Sequence, residues 1–143
     1  NDQWMKDYGF LGGDRDLGLV EDILKKMPPH QIITATESTP VSQIIDTFKS
    51  RGISQVPVMD GKGNPVGMVH EVDVLRGMQT GAVTGQSPAK AVSHPIGGLI
   101  YPKARIEELF RIFETDQVGV VVDNNKIVGI VSKVDVLEFM TKR

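Results

Sequence analysis

The sequence says the same thing twice, and the register of the repetition limits the folds open to it. Val66-Gly67-Met68-Val69 leads to Val72-Asp73-Val74-Leu75, and Val128-Gly129-Ile130-Val131 leads to Val134-Asp135-Val136-Leu137. Gly129 follows Gly67 by 62 positions (129 − 67), and Asp135 follows Asp73 by the same 62 (135 − 73). Upstream, Val56-Pro57-Val58-Met59-Asp60 returns as the looser Val120-Val121-Val122-Asp123. A spacing held across strand, turn and helix patterns indicates two copies of one unit. A unit of about 45 residues buries too little apolar surface to stand alone. Two units with facing sheets would share a core.

Each copy reads as strand, helix, strand, turn, strand, helix. Apolar residues at Leu19, Val20, Ile23, Leu24 and Met27 predict an amphipathic helix before the first copy, ended by Pro28-Pro29. Ile32-Ile33-Thr34 predicts a short strand. Thr39-Pro40 reads as a helix start, with Val41, Ile44, Ile45 and Phe48 on one face and Gly52 as the stop. Ile53 to Met59 and Val66 to Val69 are strands around the turn Asp60 to Pro65. The next helix, Val72 to Met78, is expected to face Leu75 and Met78 inward. Thr80 to His94 is a polar loop with a turn of helix near Ala89 to Val92. In the second copy Leu99-Ile100 is a strand, and Ile106, Leu109, Phe110 and Phe113 repeat the helical stripe. Val118 to Val122 and Ile127 to Val131 flank the turn Asp123-Asn124-Asn125, and Val134 to Met140 is the last helix. The result is an α/β pair with pseudo-twofold symmetry and clefts between the halves.

Composition narrows the function. A net charge of −2 without a basic patch argues against nucleic acid as a partner. No apolar run reaches the roughly 20 residues of a membrane span. Cysteine is absent, which excludes disulfides, thiol catalysis and cysteine–zinc sites and makes a cytoplasmic setting the expectation. His30, His70 and His94 lack metal-ligand spacing, and no nucleophile–base pattern emerges, so neither a metal site nor catalysis is expected. Opening on Asn1 rather than methionine suggests a fragment.

In this order, twice, the motifs resemble the tandem CBS-domain (Bateman) module over about Pro28 to Arg143. Gln3-Trp4-Met5 and Gly9-Phe10-Leu11 are similar to the segment leaving the catalytic domain of cystathionine β-synthase. Thr115-Asp116-Gln117-Val118-Gly119-Val120-Val121 resembles that enzyme's second repeat. The resemblance implies a division into 1–27, a linker and helix from the end of a catalytic domain; 28–80, the first repeat; 81–94, a connector; and 95–143, the second repeat. It implies a pyridoxal-phosphate-dependent parent of the cystathionine β-synthase type. The cofactor and its lysine would belong to the catalytic domain, and this chain would be the non-catalytic regulatory part. It also implies a homodimer. A purely structural dimerisation module, or a CBS module of a different parent, is the alternative.

One feature bears on a ligand. Ser132-Lys133-Val134-Asp135 stands at a strand-to-helix junction, where free backbone N–H groups favour an anion and a carboxylate one turn on can accept ribose hydroxyls. Ser-x-x-Asp before an apolar run is also nearly a capping box, and spacing leaves both readings open. The resemblance assigns Ser132 and Asp135 to the ribose of an adenosyl ligand, S-adenosylmethionine, AMP or ATP. It draws the adenine wall from Gln31, Ile32, Ile33, Ile53, Ser54, Gln55 and Val56. The mirror position keeps Asp73 but has His70 in place of the hydroxyl, giving a weaker second site with Ile96, Val118 and Gly119 opposite.

Overall fold

The computed structural model describes residues 16–29 and 31–142. Gln3 to Leu11 and His30 therefore lie outside the described residues. The elements are α1 (Val20–Lys26), β1 (Ala35–Thr36), α2 (Val41–Arg51), β2 (Gln55–Met59), β3 (Pro65–His70), α3 (Glu71–Thr80), a 3-10 turn (Ala89–Val92), β4 (Leu99–Ile100), α4 (Glu107–Ile112), β5 (Val118–Asp123), β6 (Lys126–Ser132) and α5 (Lys133–Thr141). They build two three-stranded sheets, ordered β1-β2-β3 and β4-β5-β6. In each sheet the first pair is parallel and the second antiparallel. Gly67 pairs with Val58 and Gly129 with Val121, so the repeated glycine holds the same place in both ladders. Among the described residues no helix is long and apolar enough to cross a membrane.

Strand alternation divides the core into three layers. In β5, Val121 packs with α4 and α5, while Val118, Val120 and Val122 face the other way into a seam with Met68 of β3. In β2, Val56 and Val58 pack with α2 and α3. Successive side chains on a strand take opposite faces, so each sheet serves its own helices and the seam at once. The single shared core expected from the sequence is thus a seam flanked by two helix-packed clusters.

The two halves are joined by a reciprocal exchange. The α1 helix precedes the first sheet in sequence, yet Val20 and Ile23 are fully buried in the core of the second repeat. The 3-10 turn precedes the second repeat, yet Ala89 and Val92 are buried in the core of the first. Their anchors correspond: Leu19 bridges Arg105 ahead of α4, and Pro88 bridges Pro40 ahead of α2. Backbone bonds secure each, from Val20 N–H to the Ala104 carbonyl at 2.9 Å and from Val41 N–H to the Ser87 carbonyl at 2.8 Å. Burying two aliphatic side chains of α1 stabilises the docking by about 3–6 kcal/mol before entropic costs.

Several local expectations are corrected. Residues 31–34 form no strand, and β1 starts at Ala35. Thr39 does not cap α2; Pro40 holds that position, and the Thr39 hydroxyl instead accepts the N–H of Thr36 at 2.9 Å. Leu75 and Met78 do not face inward, and Ile45 and Phe110 leave their predicted inward stripes for the surface. Of α3 only Val74 is buried, and of α5 only Val136, because each helix rests on its sheet along a narrow line. The hairpin turns form as expected. Asn124 and Asn125 take positive φ angles of 52° and 64° in a two-residue turn, and Asp60 accepts the N–H groups of Lys62 and Asn64.

The exchange explains the repeated glycine. A Cβ on Gly67 would collide with the Ser93 hydroxyl and lie 3.1 Å from the His94 carbonyl, whose residue pairs in both directions with Met68. A Cβ on Gly129 would meet only the side chain of Leu24, at 2.5 Å. A side chain can rotate away, whereas a paired backbone moves only by losing its hydrogen bonds. Gly67→Ala should therefore cost about 1–3 kcal/mol and Gly129→Ala measurably less, read as urea midpoints at unchanged m. Equal losses would show that the two exchanged segments yield alike.

Candidate functional site

One cavity of about 500 Å³ opens between the repeats. The first repeat and the chain leading into it contribute Met27, Pro28, Gln31, Ile32, Ile33, Ile53, Gln55, Pro57 and Met68; the second contributes Val118, Ile130, Ser132, Asp135 and Glu138. Its size falls within the range of small-molecule sites. Because residues 31–34 run without pairing as a strand, Ile32 and Ile33 are left to line the cavity.

Ser132 ends β6 in an extended conformation (φ −98°, ψ 172°) and caps α5. Its N–H donates to Asp135 Oδ2 at 2.7 Å and its hydroxyl to the same oxygen at 2.9 Å. The Asp135 N–H returns a bond to Ser132 Oγ at 3.3 Å. The capping box is therefore real. It does not exhaust the carboxylate, since the bonds to the Asp135 side chain all fall on Oδ2. Oδ1 keeps its acceptor capacity at a residue that lines the cavity. Capping and ligand contact coexist in one side chain.

The structure brings together Ile33, Ile53, Gln55, Ser132 and Asp135. Val56 is a correction: it is buried in the first repeat's own core. It adjoins Gln55 on β2, and adjacent strand residues face opposite ways. The same alternation returns Pro57 to the cavity, a residue missed in the sequence although period-two reading could have found it. Ser54 is exposed outside the cavity lining, and its hydroxyl bonds to Gln55 Oε1 at 2.9 Å, where it can orient that amide. Met68 and Ile130 carried no sequence signal as lining residues, and Val118, expected opposite the second site, lines this cavity instead, because their approach depends on how the sheets face each other.

At the mirror position the carboxylate already has charged and aromatic neighbours. His94 Nε2 lies 3.0 Å from Asp73 Oδ2, and Arg76 approaches Oδ1 at 4.0 Å. The His94 contact is close but off the N–H axis, since Oδ2 gains no aligned hydrogen bond from it. The His94 ring stacks on that of His70 with centroids 4.8 Å apart and planes tilted by 2°. These histidines, read as remote in the sequence, are thus in contact. Ile96 and Val118 of the expected opposite wall belong to the apolar seam, and Gly119 packs against Leu109. Among the described residues no group of three or more metal-ligating side chains is arranged to hold an ion.

Burial holds the His70 imidazole below its ordinary pKa, helped by His94 and opposed by Asp73 and Asp116. Folded His70 thus resists protonation while the unfolded chain accepts it. Below the ordinary histidine value of about 6.5 the unfolded state binds more protons, so stability at this residue is lost as pH falls. His70→Phe keeps a stacking ring without the titration. It should flatten the fall in urea midpoint between about pH 7.5 and about pH 5.5, and an unchanged slope would refute the assignment to His70.

The comparisons with known proteins agree with this architecture. The model of the CBS domain matches residues 20–80 and 95–142. No curated protein matches the chain. Among solved structures, a CBS-domain-containing protein from Agrobacterium tumefaciens has a TM-score of 0.73 at 19% identity, covering 89% of this chain and 96% of its own. CBSX2, solved in complex with AMP, has a TM-score of 0.71 at 21% identity, covering 88% and 99%. The CBS domain pair of MJ0100, solved with 5′-methylthioadenosine and S-adenosyl-L-methionine, has a TM-score of 0.70 at 19% identity, covering 87% and 98%. At these identities the similarity speaks for the fold alone. With both repeats matched and the paired sheets in place, the chain belongs to the CBS-domain family as a tandem CBS pair.

Proposed function

We propose that this module is a regulatory sensor whose cavity binds an adenosyl ligand. The observation that carries the reading is the composition of one cavity from both repeats. Ile32, Ile33 and Ile53 offer apolar faces for a purine, and Gln55 offers an amide to its edge. Ser132 and Asp135 supply a hydroxyl and a carboxylate for a ribose. The AMP complex of CBSX2 and the adenosyl complexes of MJ0100 support the same ligand class. A ligand touching both halves favours arrangements that bring them to the distance it spans, and it regulates only through that difference in affinity.

The route out of the cavity is α1. Met27 and Pro28 line the cavity, while Val20 and Ile23 of the same segment are fixed in the second repeat. Movement of Met27 and Pro28 around a ligand therefore pulls on α1. The finer form of the proposal is that the regulated body is a pyridoxal-phosphate-dependent catalytic domain of the cystathionine β-synthase type. Its support is the resemblance of Gln3 to Leu11 and of Thr115 to Val121 to that enzyme.

A second role has its own observation. Val72, Leu75 and Met78 on α3 are exposed, and so are Val134, Leu137 and Met140 on α5, each pair 62 positions apart. Two equivalent apolar faces suit a second copy of the chain, because a twofold interface uses the same patch on both partners. Homodimerisation through α3 and α5 is thus part of the proposal.

Asp135→Ala should abolish adenosyl-ligand binding in calorimetry and cost about 1 kcal/mol through loss of the cap. The dimer should survive by light scattering, and unchanged affinity would sink the site. Leu75→Asp with Leu137→Asp should give a monomer of unchanged circular dichroism; a persistent dimer would move the interface elsewhere.

A further inference from the structure

The charge of the cavity is one-sided. Among the described residues its charged lining consists of Asp135 and Glu138. The two carboxylates stand three positions apart on α5 and share a helix face. Glu138 is exposed and takes part in no ion pair among the described residues. Asp135 already engages the start of α5 as its cap, so the positive helix end is partly neutralised before any ligand arrives. A second hollow of about 260 Å³ adjoins the first and shares Met27, Pro28, Asp135 and Glu138 with it. Lys26 and Lys142 lie on its wall, so that hollow balances two ammonium groups against two carboxylates.

Resting on the adenosyl reading above, we propose that Glu138 is a specificity-determining residue that selects ligands by the charge of their 5′ group. A ribose held at Asp135 directs its 5′ substituent toward the neighbouring turn, where Glu138 stands between the two hollows. A phosphate there meets two carboxylates in a partly enclosed space, where like charges repel more strongly than in water. A sulfonium meets attraction instead. An amino-acid tail beyond it finds a carboxylate for its ammonium group and lysines for its carboxylate. The ligand class is therefore an adenosyl sulfonium with a zwitterionic tail, ahead of nucleoside phosphates.

The test is calorimetry of the intact chain, its Glu138→Gln and its Glu138→Lys variants against adenosine, S-adenosylmethionine, AMP and ATP. Wild type should bind S-adenosylmethionine at least about tenfold more tightly than AMP. Glu138→Gln should narrow that ratio and Glu138→Lys reverse it, with adenosine as the uncharged reference for each variant. Added salt should compress the ratio, as screening requires. AMP or ATP binding as tightly as S-adenosylmethionine in wild type, with adenosine still bound, overturns the charge selection and leaves the adenosyl site standing. A ratio unaltered in Glu138→Lys overturns the role of Glu138. Absence of binding by all four, adenosine included, overturns the adenosyl reading and this proposal with it.

Discussion

The segment ahead of each sheet is buried in the core of the other sheet's half, and the remaining architecture depends on that exchange. Neither half is complete without the other: the second lacks Val20 and Ile23, and the first lacks Ala89 and Val92. Separating the halves would expose the seam and both docked segments together. Small units that cannot bury enough surface alone gain cooperativity this way. The exchange also brings a docked segment against the same ladder position in each sheet, His94 backbone at Gly67 and the Leu24 side chain at Gly129, where a glycine leaves the room.

The same exchange makes the two clefts unequal. The chain entering the first repeat passes over the cavity between the repeats as Met27, Pro28 and Gln31 to Ile33, without a charged side chain among these lining residues. The chain entering the second repeat passes over the mirror position as Ser93 and His94, and His94 reaches Asp73. One carboxylate is left facing a cavity; its counterpart faces an imidazole and a guanidinium. The duplication is thus symmetric in its ladders and asymmetric in its chemistry. The difference comes from connector residues lying outside the motifs that reveal the repeat.

Much of the fold was legible because its signals are local. Gly52 with its left-handed φ of 64°, the two-asparagine turn and the Ser132 cap follow from residue chemistry within a few positions. The pairing of halves was legible from the repeat. Val56 falls outside the cavity lining because strand alternation, not motif position, decides which β2 side chains reach it. Leu75, Met78 and Phe110 were assigned inward because helical periodicity marks an apolar face without saying what covers it. The stack of His70 on His94 joins residues 24 positions apart (94 − 70), and no spacing rule foretells it. Glu138 passed unnoticed because a lone glutamate on an amphipathic helix reads as solvated surface until a cavity is found beside it.

The α5 helix unites these constraints in nine residues. Val136 anchors it to the sheet, Asp135 and Glu138 turn to the cavity, and Val134, Leu137 and Met140 present an apolar face to the outside. A rigid helix cannot adjust one of these faces without the others. A ligand that draws Asp135 and Glu138 inward must also tilt the outer face, and a partner seated on that face must in turn alter the affinity of the cavity. Such coupling is reciprocal by linkage, whichever event comes first. Under the proposed function, ligand binding and self-association would act on two faces of one helix.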